Sequence, residues 1–246
     1  VLTSDLLFYR IKKGPKTRVT LDFIDQFYRE VAQELKSPLT QDFINRTRIP
    51  NERELYGLLI KALLKVGGDE DIGHVATEVQ VDRIVEPDDA DSTSTGRVDI
   101  LVNYRKTVFL IEVKVARVSL SSTNLTRNED SKAIRAWNSA VDQLQAIRSD
   151  RVQALLEQDI RKLALVVCLY YDGRTTERED GWENLISEHH QQICDQIDDN
   201  SIQATEYDWK SAFDEPIFPY RRKSKAVDEQ TWLTLYGFSL LGATVD

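Results

Sequence analysis

Cysteine is scarce in this chain. Two occur in 246 residues, Cys168 inside the apolar run LALVVCLYY and Cys194 in a polar helical stretch, and neither spacing marks a disulfide framework or a zinc site. Cys168 reads as a small buried apolar residue. No apolar run approaches the roughly 20 residues needed to cross a bilayer, so no membrane association is expected. The opening stretch VLTSDLLFYRIKKG has no basic segment ahead of an apolar core, which argues against a secretory signal and makes the cytoplasm the expected compartment. Glycine-rich phosphate loops, G-x-S-x-G elbows and H-E-x-x-H pairs are missing too, and nucleotide-dependent chemistry has no support. Internal repeats and low-complexity tracts are also absent.

The composition that remains, 41% hydrophobic and 30% charged residues, is that of a globular protein with a sizeable core. A single domain is expected, with residues 50–173 as its core and 1–49 and 174–246 as extensions. The formal charge of −9 argues against coating nucleic acid through bulk electrostatics. Local basic runs are still present: RIKKGPKTR contains Lys12, Lys13 and Lys16, and RRKSK contains Arg221, Arg222 and Lys223. Each run reads as a solvated loop or as a phosphate-binding surface. Negative charge concentrates in DED at 69–71 and EPDDAD at 86–91.

Apolar periodicity then sets out the elements. Phe23, Ile24, Phe27, Val31 and Leu35 recur at helical spacing in a segment of the N-terminal extension. After Pro50, NERELYGLLIKALLKVGG predicts a helix capped by Asn51, buried along Leu55, Leu58, Leu59, Ala62 and Leu63, and stopped by Gly67 and Gly68. HVATEVQVDRIV alternates as a strand, with Val75, Val79 and Val81 expected on one face and Glu78, Gln80 and Asp82 on the other. An acidic loop with STSTG is expected next, then RVDILVNY, a tight turn, and VFLIEVKV as its hairpin partner. SKAIRAWNSAVDQLQAIR carries Ile134, Trp137, Val141, Leu144 and Ile147 as a helical stripe. Helical DRVQALLEQDI leads to the buried strand KLALVVCLYYD. GWENLISEHHQQICDQI reads as a helix, and WLTLYGFSLLGATV as a strand or a helix.

One stretch breaks its own pattern. GRVDILVNYRKTVFLIEVKV puts Asp99, Glu112 and Lys114 among Val, Ile, Leu and Phe. Glu112 and Lys114 share one side of a strand, and a suitable hairpin register brings Asp99 to them. Two carboxylates roughly 4 Å apart repel by about 4 kcal/mol at an effective dielectric near 20. One lysine offsets only part of that; a divalent cation would relieve the rest, and carboxylate and carbonyl oxygens suit Mg2+ or Mn2+. The alternative on spacing alone is a salt bridge across the hairpin, with Lys114 reaching solvent at the sheet edge.

The order helix, strands carrying Val98-Asp99 and, 13 residues on, Glu112-Val113-Lys114, then helix and strand, resembles the core of the PD-(D/E)XK nuclease superfamily. Val98 stands where the motif has proline. The resemblance implies a restriction-endonuclease-like fold: α/β, a central mixed sheet flanked by helices in the order αβββαβ. It also implies a metal-dependent nuclease in which Asp99, Glu112 and the Val113 carbonyl hold Mg2+ or Mn2+ and Lys114 orients water or stabilises developing charge. The helix before the strands resembles that of archaeal Holliday-junction resolvases, with Glu52 as its acid and Glu54 in reserve. The later helix offers Gln143 but Ile147 in place of the tyrosine of RecB-like members, and Gln143 and Gln145 read as solvated. The implied substrate is DNA rather than RNA, in defence, repair or mobile-element work. A cut in both strands would call for a homodimer. Phosphates would meet the basic runs and the segment from Arg127 to Arg135, and Tyr9, Trp137 and Tyr220 read as base-stacking or packing residues. The alternatives are a catalytically inactive nucleic-acid-binding or assembly module of the same fold, and an α/β interaction protein. His189, His190 and Cys194, with no second ligand pair in sequence, read as a solvated helix face.

Overall fold

The computed structural model describes residues 10–11, 18–46, 49–67, 71–86, 89–121, 132–148, 158–173, 181–200, 203–223 and 230–245. α1 (Arg18–Lys36) forms where the apolar stripe runs, and Phe23, Ile24, Phe27, Val31 and Leu35 are all buried. It is followed by α2 (Pro38–Arg46) and α3 (Glu52–Leu63). The expected cap is present at the start of α3. The Asn51 side chain accepts from the Glu54 N–H, and the Glu54 side chain accepts from the Asn51 N–H, closing a capping box. Beyond the helix, Gly67 takes φ 74°, a left-handed conformation suited to glycine.

The strands are β1 (Arg10–Ile11), β2 (Ile72–Glu86), β3 (Asp89–Tyr104), β4 (Thr107–Ser119), β5 (Asp159–Asp172), β6 (Tyr207–Lys223) and β7 (Gln230–Val245). They form one mixed sheet in the order β1-β6-β7-β5-β4-β3-β2. Among the described strands only β4 and β5 pair in parallel, and α4 (Lys132–Gln145) lies on the chain between them. α5 (Trp182–Asn200) precedes β6. The architecture is therefore α/β, a mixed sheet flanked by helices. WLTLYGFSLLGATV is the strand β7, paired antiparallel with β5 and β6. Among the described residues, no helix is long and apolar enough to cross a membrane.

Two cores fill the two sides of the sheet. One joins α1 and α3 to Ile100, Val102, Phe109, Ile111 and Val113; the other joins α4 and α5 to Val98, Val108, Leu110, Val166 and Cys168. Phe23 of α1 stacks on Phe109 of β4 with ring centroids 4.0 Å apart. At the far end of α3, Lys61 and Lys65 both pair with the buried Glu34 of α1.

Two expectations are corrected, and a third falls mostly outside the described residues. The acidic STSTG stretch is strand, not loop: β3 starts at Asp89 and pairs Ser94 with Arg83 and Thr93 with Ile84. The alternating Ser and Thr side chains suit a pleated ladder that the turn-rich composition concealed. Val75, Val79 and Val81 do not share one face, since Val75 packs on the α1 side and Val79 and Val81 on the α4 side. The cause is Glu78, whose φ of 53° turns the strand over. β3 turns with it, so Val98 and Ile100 enter opposite cores. Finally, the expected helix DRVQALLEQDI lies outside the described residues except at its end, where Asp159 and Ile160 open β5.

Because Phe23 is wholly buried and stacked on the central strand, Phe23→Ala should lower unfolding stability by about 3–5 kcal/mol. Urea unfolding followed by circular dichroism reads this; a loss under about 1 kcal/mol would show that α1 is peripheral to the core.

Candidate metal centre

The site is built where a ladder ends. β3 and β4 pair from Tyr104↔Thr107 to Ile100↔Ile111 and no further. Beyond that point β4 continues against β5, leaving one of its edges without a backbone neighbour. The Val113 N–H on that edge donates instead to Asp99 Oδ2 at 2.7 Å. Asp99 thus replaces a ladder bond with a side-chain bond and is held at the fork of the two strands. Its register position lies opposite Glu78, between the pairs Thr77↔Ile100 and Val79↔Val98, so the left-handed residue and the fork coincide.

Helix α3 brings the next groups. The Tyr56 hydroxyl donates to Asp99 Oδ1 at 2.6 Å and lies 3.5 Å from Glu52 Oε1. Glu52 and Tyr56 are four residues apart, one above the other on the helix. Glu54 is engaged in the capping box, so Glu52 is the helix acid that reaches the site.

From β4, Lys114 Nζ donates to Glu112 Oε1 at 2.7 Å and to the Val113 carbonyl at 3.2 Å. The same ammonium is 3.8 Å from Glu52 and 3.9 Å from Asp99. One cation therefore sits among three carboxylates and a carbonyl. Lys114 does not reach out to solvent: its side chain is only 16% exposed.

Burial sets the electrostatics. Glu112 is 2% exposed, and its Oε2 has no hydrogen-bond partner among the described residues. Burial, with Asp99 adding to it and Lys114 opposing, pushes the Glu112 carboxyl up to about 7. Burial also raises Glu52 against the pull of Lys114, with Asp99 adding to the rise. For Lys114 burial works against the charge, but Glu112, Asp99 and Glu52 outweigh it and the pKa rises. Tyr56 is raised by burial and by the Asp99 carboxylate, which keeps it a hydrogen-bond donor. The positive charge present is thus too small for the acids around it, and the orphaned Glu112 oxygen is a donor atom without a partner. That set of oxygens fits a hard divalent cation.

Beside Glu52 lies a cleft of about 240 Å3 lined by Pro50, Asn51, Glu52, Val115, Arg117 and Lys132. Arg117 and Lys132 are exposed there, and Arg117 is braced on the Ile49 carbonyl at 2.9 Å. Sequence reading missed Tyr56, Glu78 and Arg117. The four-residue step from Glu52 could have found Tyr56; nothing in the local sequence marks the other two.

The remaining candidates fall elsewhere. Lys12, Lys13, Lys16, Tyr9 and Arg127 lie outside the described residues, as do the side chains of Arg221, Arg222, Lys223 and Tyr220 on β6. Trp137 is wholly buried and donates its indole N–H to the Gln203 carbonyl, so it packs and does not stack on bases. Gln145 is exposed, and Gln143 donates to Ser139 on its own helix. His189, His190 and Cys194 are buried, which corrects the expected solvated face: His190 and Cys194 meet Asp208 of β6. No known protein family, curated protein or solved structure matches this chain.

The raised Glu112 carboxyl makes a stability prediction with a definite sign. The folded value, about 7, lies above the ordinary 4.5, so its contribution is complete below 4.5 and lost as pH rises through 7. In metal-free buffer, Glu112→Gln should gain on the unaltered protein by on the order of 2 kcal/mol between pH 5 and pH 8. Urea midpoints at the two pH values measure it, and a difference independent of pH would show that Glu112 ionises normally.

Proposed function

We infer that this chain is a metal-dependent nuclease that hydrolyses phosphodiester bonds, with a PD-(D/E)XK site on a restriction-endonuclease-like core. The observation carrying this reading is the convergence of Glu52, Asp99 and Glu112 on Lys114 Nζ within 4 Å, at a fork that leaves a buried carboxylate oxygen orphaned. A plain structural salt bridge would need one acid and would not leave Glu112 half satisfied.

Asp99, Glu112 and the Val113 carbonyl are the groups that would hold Mg2+ or Mn2+, with Glu52 reaching it directly or through water. The bound ion would lower the pKa of a water and neutralise charge on the scissile phosphate. Tyr56 and the Val113 N–H fix the Asp99 carboxylate by its two oxygens, so it enters the site in one orientation. Lys114, held by Glu112, orients the attacking water or stabilises the charge that develops on phosphorus oxygens. Glu112 must be ionised to act, so a proton on its raised carboxyl competes with the ion, and apparent metal affinity rises with pH through about 7.

The cleft next to Glu52 supplies Arg117 and Lys132 for neighbouring phosphates. These local cations answer the objection raised by a net charge of −9, because a few ion pairs at the site suffice for a backbone contact. DNA is the proposed polymer, and a duplex cut on both strands would need two copies.

Supercoiled, linear, branched and single-stranded DNA, and RNA, incubated with the protein and Mg2+ or Mn2+, test the reading. DNA should be cut, EDTA should stop it, and Asp99→Ala or Lys114→Ala should lower the rate by on the order of 10²–10³-fold. Binding without cleavage would favour an inactive module of the same fold, and cleavage unchanged in both variants would place the chemistry elsewhere.

A further inference from the structure

A second cluster of ligand-type side chains lies far along the chain from the carboxylate site. His190 and Cys194 stand four residues apart on α5, on one face of the helix. That face meets β6 at Asp208, the second residue of the strand. His190 Nε2 is 2.9 Å from Asp208 Oδ1 and 3.7 Å from Cys194 Sγ. One ligand atom from each of the three lies within 4.8 Å of the other two. All three are buried, at 3%, 1% and 5% exposure.

A helix–strand contact of this kind is ordinarily filled by apolar side chains, as Ile186, Ile193 and Ile197 fill it elsewhere along α5. An imidazole, a thiol and a carboxylate concentrated at one point carry a desolvation cost that an apolar filling would avoid. Their donor atoms are those of a tetrahedral zinc centre. For Zn–N, Zn–O and Zn–S bonds of roughly 2.0–2.3 Å, tetrahedral ligand atoms stand roughly 3.4–3.6 Å apart. The His190–Cys194 separation already has that spacing, and the His190–Asp208 pair needs to open by about half an ångström. These residues supply three of the four tetrahedral positions, and the burial of all three keeps the fourth away from bulk solvent.

We propose that His190, Cys194 and Asp208 form a closed structural site for Zn2+ that ties α5 to β6. Binding exchanges the imidazole–carboxylate hydrogen bond for two metal bonds and forms a zinc–thiolate bond. The Cys194 thiol proton leaves to solvent, and the imidazole proton, where it sits on Nε2, moves to Nδ1. No redox step is involved. With the fourth position shut between α5 and β6 away from bulk solvent, the ion would act in folding and not in catalysis. It differs in kind from the hard-cation site at Asp99, which offers only oxygen atoms.

The full chain, expressed in zinc-containing medium and dialysed against metal-free buffer, should retain one zinc per chain by elemental analysis. The Asp99→Ala, Glu112→Ala double variant should retain it too. X-ray absorption of the zinc-loaded, otherwise unaltered protein should give one sulfur at about 2.3 Å. Cobalt replacing zinc should show a thiolate charge-transfer band that survives Cys168→Ala and vanishes in Cys194→Ser. Zinc at a hundredfold excess over its Kd should raise the Tm of the metal-free protein by about 5–10 °C. A shell of oxygen and nitrogen without sulfur, a thiolate band abolished by Cys168→Ala, or zinc content below a tenth of an equivalent with an unmoved Tm would each overturn the assignment. The absorption spectrum and the Tm shift need no substitution, so they decide the matter even where Cys194→Ser does not fold.

Discussion

One hydrogen bond organises the candidate metal centre: Val113 N–H to Asp99 Oδ2. Where β3 leaves β4, the inner strand β4 has a backbone donor with no ladder partner, and an unpaired buried N–H costs about as much as a lost hydrogen bond. A carboxylate satisfies it and in doing so is fixed at the fork. Tyr56 takes the other oxygen, which draws the first turns of α3 to the same place and carries Glu52 with them. The capping box keeps Glu54 out of competition.

Given that placement, the charges follow. Glu112 and Lys114 lie on the strand immediately beyond the fork, and their mutual bond leaves one carboxylate oxygen buried and unused. A lysine can neutralise one acid but not three. The three acids are therefore under-compensated by Lys114, and the raised Glu112 carboxyl is the electrostatic mark of that imbalance. The same logic, with softer donors, applies to the buried His190, Cys194 and Asp208 between α5 and β6.

Much of this was legible in the sequence, and for physical reasons. Helical spacing gave α1, α3 and α4 because an amphipathic helix must repeat its apolar face, and Asn51 marked the start of α3 because an unpaired helix terminus needs an acceptor. Asp99, Glu112 and Lys114 stood out because charge inside apolar strands is costly. What escaped depended on long-range pairing. The side reversal at Glu78 is a property of one left-handed residue that no alternation pattern reveals. The strand status of STSTG depended on Arg83 and Ile84 opposite it, and the burial of His190 and Cys194 on Asp208 lying fourteen residues beyond Cys194 in sequence and beside it in space.

The account's central claim is that the acids of α3, β3 and β4 enclose one cation position. A crystal soaked in Mn2+ and measured at the manganese edge tests this most directly. An anomalous peak bounded by Asp99, Glu112 and the Val113 carbonyl, with Lys114 withdrawn from Glu112, is the predicted result. A soaked crystal whose difference map holds no peak among those three groups, with Lys114 still bonded to Glu112, would contradict it.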